Sequence, residues 1–346
     1  MSKVLIVATS RKTRGGITSV VKAHEQGPQW SEYHCHWVET HRDGPGWRKV
    51  AYFLRAIFDY SVRLPFYDMV HIHFSNISSL KRKLIFARMA KNLNKKILVH
   101  FHAFDPATTI HGDYKELYRD LFEIADGIIV LSNWWRDEVK KAFPTVSERI
   151  LVLYNPCEQI PTGKSFTKKK QILYAGTVNA RKGYADLIKA FAIIATKHPD
   201  WTLAIAGNGE LEQAKQLAKD MGIKNQVNFL GWVSGEAKRQ VFQESSVFCL
   251  PSYAEGFPMA VLDAWAYGLP VITTPVGGIP DIAIDGQNML LFNPGDIRTL
   301  AKNISTLIND NSLIERVTAA SLQLAHTTFS TTQINNELAR IYSLFT

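Results

Sequence analysis

Short apolar, β-branched runs alternate with helix-length segments along the whole chain. In the first half the runs are KVLIVAT (3–9), HCHWVE (34–39), DMVHIHF (68–74), KILVHF (96–101), GIIVL (127–131) and ILVLY (150–154). In the second half they are QILYAG (171–176), WTLAIAG (201–207), QVNFL (226–230), SVFCL (246–250), PVITT (270–274) and MLLF (289–292). Runs of this length, bounded by glycine and separated by helices, predict parallel sheets covered on both faces. Between the two sets lies NPCEQIPTGKSFTKKKQ (155–171), whose Pro, Gly, Ser and Lys content reads as a linker. The expectation is therefore α/β, with two doubly wound parallel-sheet domains over residues 1–157 and 158–330. A C-terminal helix at about 331–346 is expected to pack back on the first. Two such domains would face a cleft, where a ligand meets strand ends from both sheets.

Within that frame the stretch SYAEGFPMAVLDAWAYGLPVITTP (252–275) stands out. It reads as a loop after a buried strand, a helix, a Gly268–Pro270 stop and the next strand. Pro258 suits the first helical position, where its missing N–H has no intrahelical partner. Glu255 falls in the loop at the carboxyl end of a strand, the edge where open α/β sheets bind ligands. Asp263 lies among Val261, Leu262, Ala264 and Trp265, too far into the helix to act as a cap.

Composition narrows the function classes. With 346 residues, 46% hydrophobic and 21% charged, the chain has room for two cores. No apolar stretch approaches the ~18 residues of a membrane span, and VLIVA at the start reads as a first strand rather than a signal peptide. Three scattered cysteines offer neither a disulfide framework nor a zinc site, which fits a reducing cytosol. The net charge of +9 is uneven: residues 1–150 hold 23 Lys/Arg against 15 Asp/Glu, and residues 151–346 hold 17 against 16. The excess concentrates in KRKLIFARMAKNLNKK (81–96) and in GWRKVAYFLRAIFDYSVRLPF (46–66), where helical spacing gathers Trp47, Val50, Leu54, Ile57 and Phe58 on one side. Such a helix either lies on an anionic membrane or is a solvated domain surface. No nucleic-acid-binding module accompanies the charge.

Several polar groups fall at strand ends. Arg14-Gly15-Gly16 follows the first strand and opens a helix, so its amides can approach a phosphate. Arg181-Lys182-Gly183 places two cations after the first strand of the second half, suited to a diphosphate. His71, His73, His100 and His102 form two H-x-H pairs; a metal held with Asp105 or His111 is one reading, and hydrogen-bonded or substrate-contacting groups the other. AGNGEL (206–211) lacks the third glycine of a dinucleotide fingerprint, so hydride transfer is poorly supported.

Taken together, TRGGI, VHIHF, LVHFHAF, ADGIIVLS, VLYNP, YAGTVNARKG, IAGNGE, FLGWVS, the Glu255-Gly256-Phe257-Pro258 turn, AYGLPVITTPVGGIPD and DGQNMLLFNPGD resemble the retaining glycosyltransferases of family 4, in that order and over nearly the whole chain. The resemblance implies the two-domain GT-B fold and metal-independent transfer of a sugar from a nucleotide donor to a hydroxyl, without a cofactor. It implies that Glu255 holds the donor sugar's hydroxyls and that the turn through Gly256, Phe257, Pro258 and Met259 holds sugar and phosphate. Asp263 would take the ribose diol, and Lys182 the diphosphate, where charge develops as the bond breaks. Gly15 and Gly16 would approach the same phosphates, His102 would face the sugar, and the base would stack near Trp232 and Val233. Gly207, Thr177 and Arg181 would complete the donor pocket.

Two positions depart from the family's pattern. Asp263 stands where Glu is usual, and Thr177 where an Arg is usual, with Arg181 four residues on as a substitute. The expected function is transfer from a UDP-sugar, or a GDP-sugar, to a lipid-linked or cell-surface polysaccharide acceptor. The protein would be cytoplasmic, touching the inner face of the membrane through its basic N-terminal half, with no nucleic-acid partner. A soluble sugar or sugar-phosphate acceptor, or a non-catalytic nucleotide-binding relative, are the alternatives.

Overall fold

In the computed structural model, which describes residues 2–160 and 167–346, eleven of the twelve apolar runs contain a whole strand, and QVNFL holds all of its strand but Gly231. Of the 155–171 linker, residues 161–166 lie outside the described residues. The chain divides into one compact unit made of Met1–Pro156 with Thr331–Thr346 and a second made of Cys157–Ser330.

The first unit holds β1 (Val4–Ala8), β2 (His36–Glu39), β3 (Met69–Phe74), β4 (Lys96–Phe101), β5 (Gly127–Val130) and β6 (Ile150–Val152). They are parallel, in the order β2-β1-β3-β4-β5-β6. Their side chains bury on both faces, which is why the runs lack polar alternation. One face packs Leu5, Val70, Ile72, Val99 and Phe101; the other packs Val4, Ile6, Met69 and Leu98 under Ile334, Leu338 and Ile341 of the C-terminal helix Thr331–Ser343.

The second unit holds β7 (Gln171–Ala175), β8 (Thr202–Ala206), β9 (Val227–Gly231), β10 (Val247–Leu250), β11 (Val271–Thr273) and β12 (Leu290–Leu291), all parallel, in the order β12-β11-β10-β7-β8-β9. Strand order reverses between β1 and β3 in one sheet and between β7 and β10 in the other. At such a switch point the loops leaving two neighbouring strands diverge and open a crevice at the carboxyl edge.

Two surface expectations need correcting. In the helix Gly46–Arg63, Ile57 does not join the outer stripe; it packs on the core beside Phe53, a residue nearer the helix's inner face. In the helix Ile77–Asn92, Lys83 is interior rather than part of a basic surface. Its ammonium donates to Thr40 Oγ1 and lies 5.9 Å from the Phe86 ring, and burial holds its pKa well below the usual lysine value. Among the described residues no helix is long and apolar enough to cross a membrane.

Candidate active site

In the second unit the loops after β7 and β10 meet at the switch point. A short turn, Ala180–Lys182, follows β7, and the Asn179 side chain caps it by accepting from the Lys182 amide at 3.1 Å. The loop after β10 is stitched to this turn by the Tyr253 amide, which donates to the Arg181 carbonyl at 2.8 Å. These backbone contacts bring the side chains together. Lys182 Nζ donates to Glu255 Oε1 at 2.5 Å, and Ser252 Oγ donates to the same oxygen at 2.6 Å. Arg181 Nη1 donates to the Ala254 carbonyl at 2.6 Å and stands 3.8 Å from Glu255 Oε2. Glu255 is only 5% exposed, so its charge is compensated by Lys182 and Arg181 rather than by water.

The turn after Glu255 is held from behind. Gly277 sits at φ +58°, and a Cβ there would lie 1.9 Å from the Glu255 carbonyl oxygen. The next amide, of Gly278, donates to the Gly256 carbonyl at 2.8 Å. Phe257 is buried with its ring 5.9 Å from that of Phe329. Pro258 is the N-cap rather than the first helical residue: its backbone is extended (φ −73°, ψ 111°), its carbonyl accepts from the Val261 and Leu262 amides, and the helix runs Met259–Ala266. Asp263, one turn in, is paired with Lys238 at 2.9 Å, and Lys238 also reaches Glu158 at 2.9 Å. Burial raises the Asp263 pKa, and Lys238 pulls it back toward the ionised form.

The other second-unit candidates occupy the same carboxyl edge. Gly207 follows β8 so closely packed that a Cβ would meet the Gly176 carbonyl oxygen at 1.8 Å, a structural demand on that glycine. Thr177 is exposed, and its carbonyl accepts from the Tyr174 hydroxyl at 2.7 Å. Trp232 is exposed and Val233 half-buried just beyond β9.

In the first unit Gly15 is the N-cap of the helix Gly16–His24, and space is open where its Cβ would be. His102 follows β4, with its amide donating to the Phe74 carbonyl at 2.8 Å and its Nε2 2.9 Å from His73 Nδ1. Burial, with His24 adding to it, drives the His102 pKa to about 3, so at neutral pH the ring is an uncharged hydrogen-bonding group. His111 pairs with Glu138 and Asp105 accepts from the Ala107 amide, so neither joins the H-x-H histidines.

Ser252, Lys238, Glu158 and Gly277 were not singled out in the sequence. Ser252 lies three residues before Glu255 and Gly277 sits in the quoted VGG, so both carried some local signal. Lys238 is 25 positions from Asp263 and 80 from Glu158, with nothing local to connect them.

Comparison with known proteins gives a consistent picture. A model of the family described as Glycosyl transferases group 1 matches residues 158–323, and one of Glycosyltransferase Family 4 matches residues 13–158. An uncharacterized glycosyltransferase of Haemophilus influenzae is 32% identical over 191 residues, 54% of this chain and 53% of that protein. The capsular polysaccharide biosynthesis glycosyltransferase CapM of Staphylococcus aureus is 29% identical over 172 residues, 50% of this chain and 45% of its own. The matched segment thus spans about half the length of these relatives. Among solved structures, Anabaena HepE in complex with UDP-glucose superposes with a TM-score of 0.77 at 19% identity, covering 99% of this chain and 100% of that one. Sucrose-phosphate synthase from Thermosynechococcus elongatus superposes with a TM-score of 0.80 at 16% identity, covering 99% of each chain.

Proposed function

Because the chain belongs to glycosyltransferase family 4, its two halves matching that family's model and the group 1 model in turn, we propose that it transfers a sugar from a UDP-sugar to a hydroxyl of a lipid-linked or polysaccharide acceptor. The fold is GT-B, as in the neighbouring structures. The observation that carries the reading is the Lys182–Glu255–Ser252 cluster at the β7/β10 switch point. A carboxylate there accepts from sugar hydroxyls, and a cation beside it offsets diphosphate charge. On donor binding, Lys182 would turn toward the diphosphate and free Glu255 Oε1 for the sugar. The bond from the anomeric carbon to the diphosphate oxygen breaks, the acceptor oxygen bonds to the same face, and its proton passes to the departing diphosphate. Configuration is then retained with no enzymic nucleophile and no metal. Arg181, whose guanidinium already reaches the Glu255 loop, serves where the family's usual Arg is replaced by Thr177. Asp263 is the ribose ligand in this reading.

The uridine preference is supported by HepE, which was crystallised with UDP and UDP-glucose. A polysaccharide acceptor is supported by CapM and by the amylovoran biosynthesis glycosyltransferase AmsK of Erwinia amylovora, 26% identical over 286 residues. Thermal melting with UDP, GDP, ADP and CMP tests the donor. UDP at about 100 times its dissociation constant adds about 2.7 kcal/mol, a shift of a few degrees. A shift confined to GDP would change the base; no shift with any of them would remove the donor site.

A lipid-borne acceptor is supported by the helix Gly46–Arg63. Its outer stripe of Trp47, Val50, Leu54, Phe58 and Val62 is exposed, Trp47 by 70% and Phe58 by 72%, with Lys49 and Arg55 beside it. Each such side chain is worth about 1.5–3 kcal/mol when fully buried, and each nearby cation about 1 kcal/mol at an anionic surface. The protein is expected to sediment with phosphatidylglycerol-containing vesicles, and Leu54→Glu with Phe58→Glu to weaken this at least tenfold. Equal binding by the variant would leave a soluble acceptor as the better reading.

A further inference from the structure

Five imidazoles, His24, His71, His73, His100 and His102, crowd the β3–β4 face that lies under the C-terminal helix. Register pairs His73 with His100, and the period of two puts His71 and His102 on the same side. Ring centroids are 4.3 Å apart for His71–His73, 4.9 Å for His73–His100 and 4.1 Å for His100–His102. His71, His73 and His100 are at most 1% exposed, and one ring nitrogen from each lies within 4.8 Å of the others. This sheet face is otherwise lined by apolar side chains, so polar atoms here need partners.

Much of that need is unmet. Neither ring nitrogen of His100 has a hydrogen-bond partner, nor do His71 Nε2 and His24 Nε2. The opposite nitrogens are occupied: His71 Nδ1 lies 2.8 Å from the Tyr342 hydroxyl and His73 Nδ1 2.9 Å from His102 Nε2. In the tautomers that donate from Nδ1, His71 turns its unpartnered Nε2 lone pair away from Tyr342, and His73 has its Nε2 lone pair on the ring edge opposite His102. This is the arrangement by which a partner on one ring nitrogen orients the other toward a metal. We propose that His71, His73 and His100 form a binding site for a single late first-row transition-metal ion of the Zn²⁺ class. Burial keeps these rings neutral, the form that ligates. All-nitrogen donors select such ions over Mg²⁺ or Ca²⁺, and three of them leave the fourth position of a tetrahedral ion for a small ligand such as water. The site lies wholly within the first unit, beside His102, and its role is to tie β3, β4 and the C-terminal helix together through Tyr342.

Chelator-stripped protein titrated with Co²⁺ tests this. One equivalent is expected to bind with the intense visible bands of a four-coordinate ion and to be displaced by Zn²⁺. The His71→Gln/His100→Gln double variant is expected to lose that equivalent. No uptake by wild type, or an equivalent retained by the double variant on exposed histidines such as His34 or His111, overturns the site. If the double variant does not fold, Tyr342→Phe serves, since it removes only the hydroxyl on His71 Nδ1. A fall in affinity of about ten- to a hundredfold is expected there, and unchanged affinity overturns the site's placement at His71.

Discussion

Replacing Glu255 by Gln is expected to lower kcat about 10²–10³-fold, the scale on which a single transition-state contact is lost, and to leave the affinity for UDP nearly unchanged. The amide keeps the volume and still accepts from Ser252, which donates at 2.6 Å, so the loop should hold. It cannot balance Lys182 or hold sugar hydroxyls as a carboxylate does. Because the contact is to the transferred sugar rather than to the nucleotide, the loss should fall on kcat and kcat/KM together. Lys182→Met should also depress kcat, through the diphosphate, and the double variant should cost less than the two singles combined, since the side chains touch. Steady-state rates with the donor identified by melting decide this. Unchanged turnover in Glu255→Gln would remove Glu255 from the mechanism.

Acid should weaken the first unit through His24. The ring is 2% exposed, and its Nδ1 donates to Asn335 Oδ1 at 3.0 Å. Burial lowers its pKa to about 4, with the Asn335 bond pulling the other way. A base whose folded pKa is depressed takes up its proton first in the unfolded chain. Its contribution is therefore fully present above about pH 6.5 and is lost as pH falls toward 4. At pH 5 the loss is about 2 kcal/mol. Denaturant unfolding of chelator-treated protein at pH 7.5 and 5 checks it, with His24→Leu as the comparison. Asn335 Oδ1 keeps the Gln29 amide as a donor at 2.9 Å in that variant. Wild type should lose about 2 kcal/mol more than the variant between the two pH values; equal losses would clear His24. The other buried histidines titrate in both proteins, and burial, the main cause of their shifts, is common to both.

The donor cluster was half legible. Glu255 and Lys182 both stand out in the sequence, and the family resemblance puts them on one donor, but no local pattern pairs them across 73 positions. Their contact follows from β7 and β10 being neighbours in the second sheet. Asp263 stands out in the sequence as an acid in an apolar helix, and its partner Lys238 comes only with packing. The H-x-H pairs announced themselves by period two, whereas His24 and Tyr342 reach the same spot from helices 47 positions before His71 and 271 after it.

By itself the sequence determined the twelve strands, the parallel two-sheet class, the acidic turn before the helix at Met259 and the family. These rest on run length, period and turn chemistry, which neighbouring residues decide among themselves. Tertiary structure alone decided strand order, hence which loops share a crevice, and also which cations meet which carboxylates and which imidazole nitrogens lie buried without partners. Those outcomes depend on contacts between residues dozens to hundreds of positions apart, set when whole sheets and helices bury their apolar faces together rather than by any local preference of the chain.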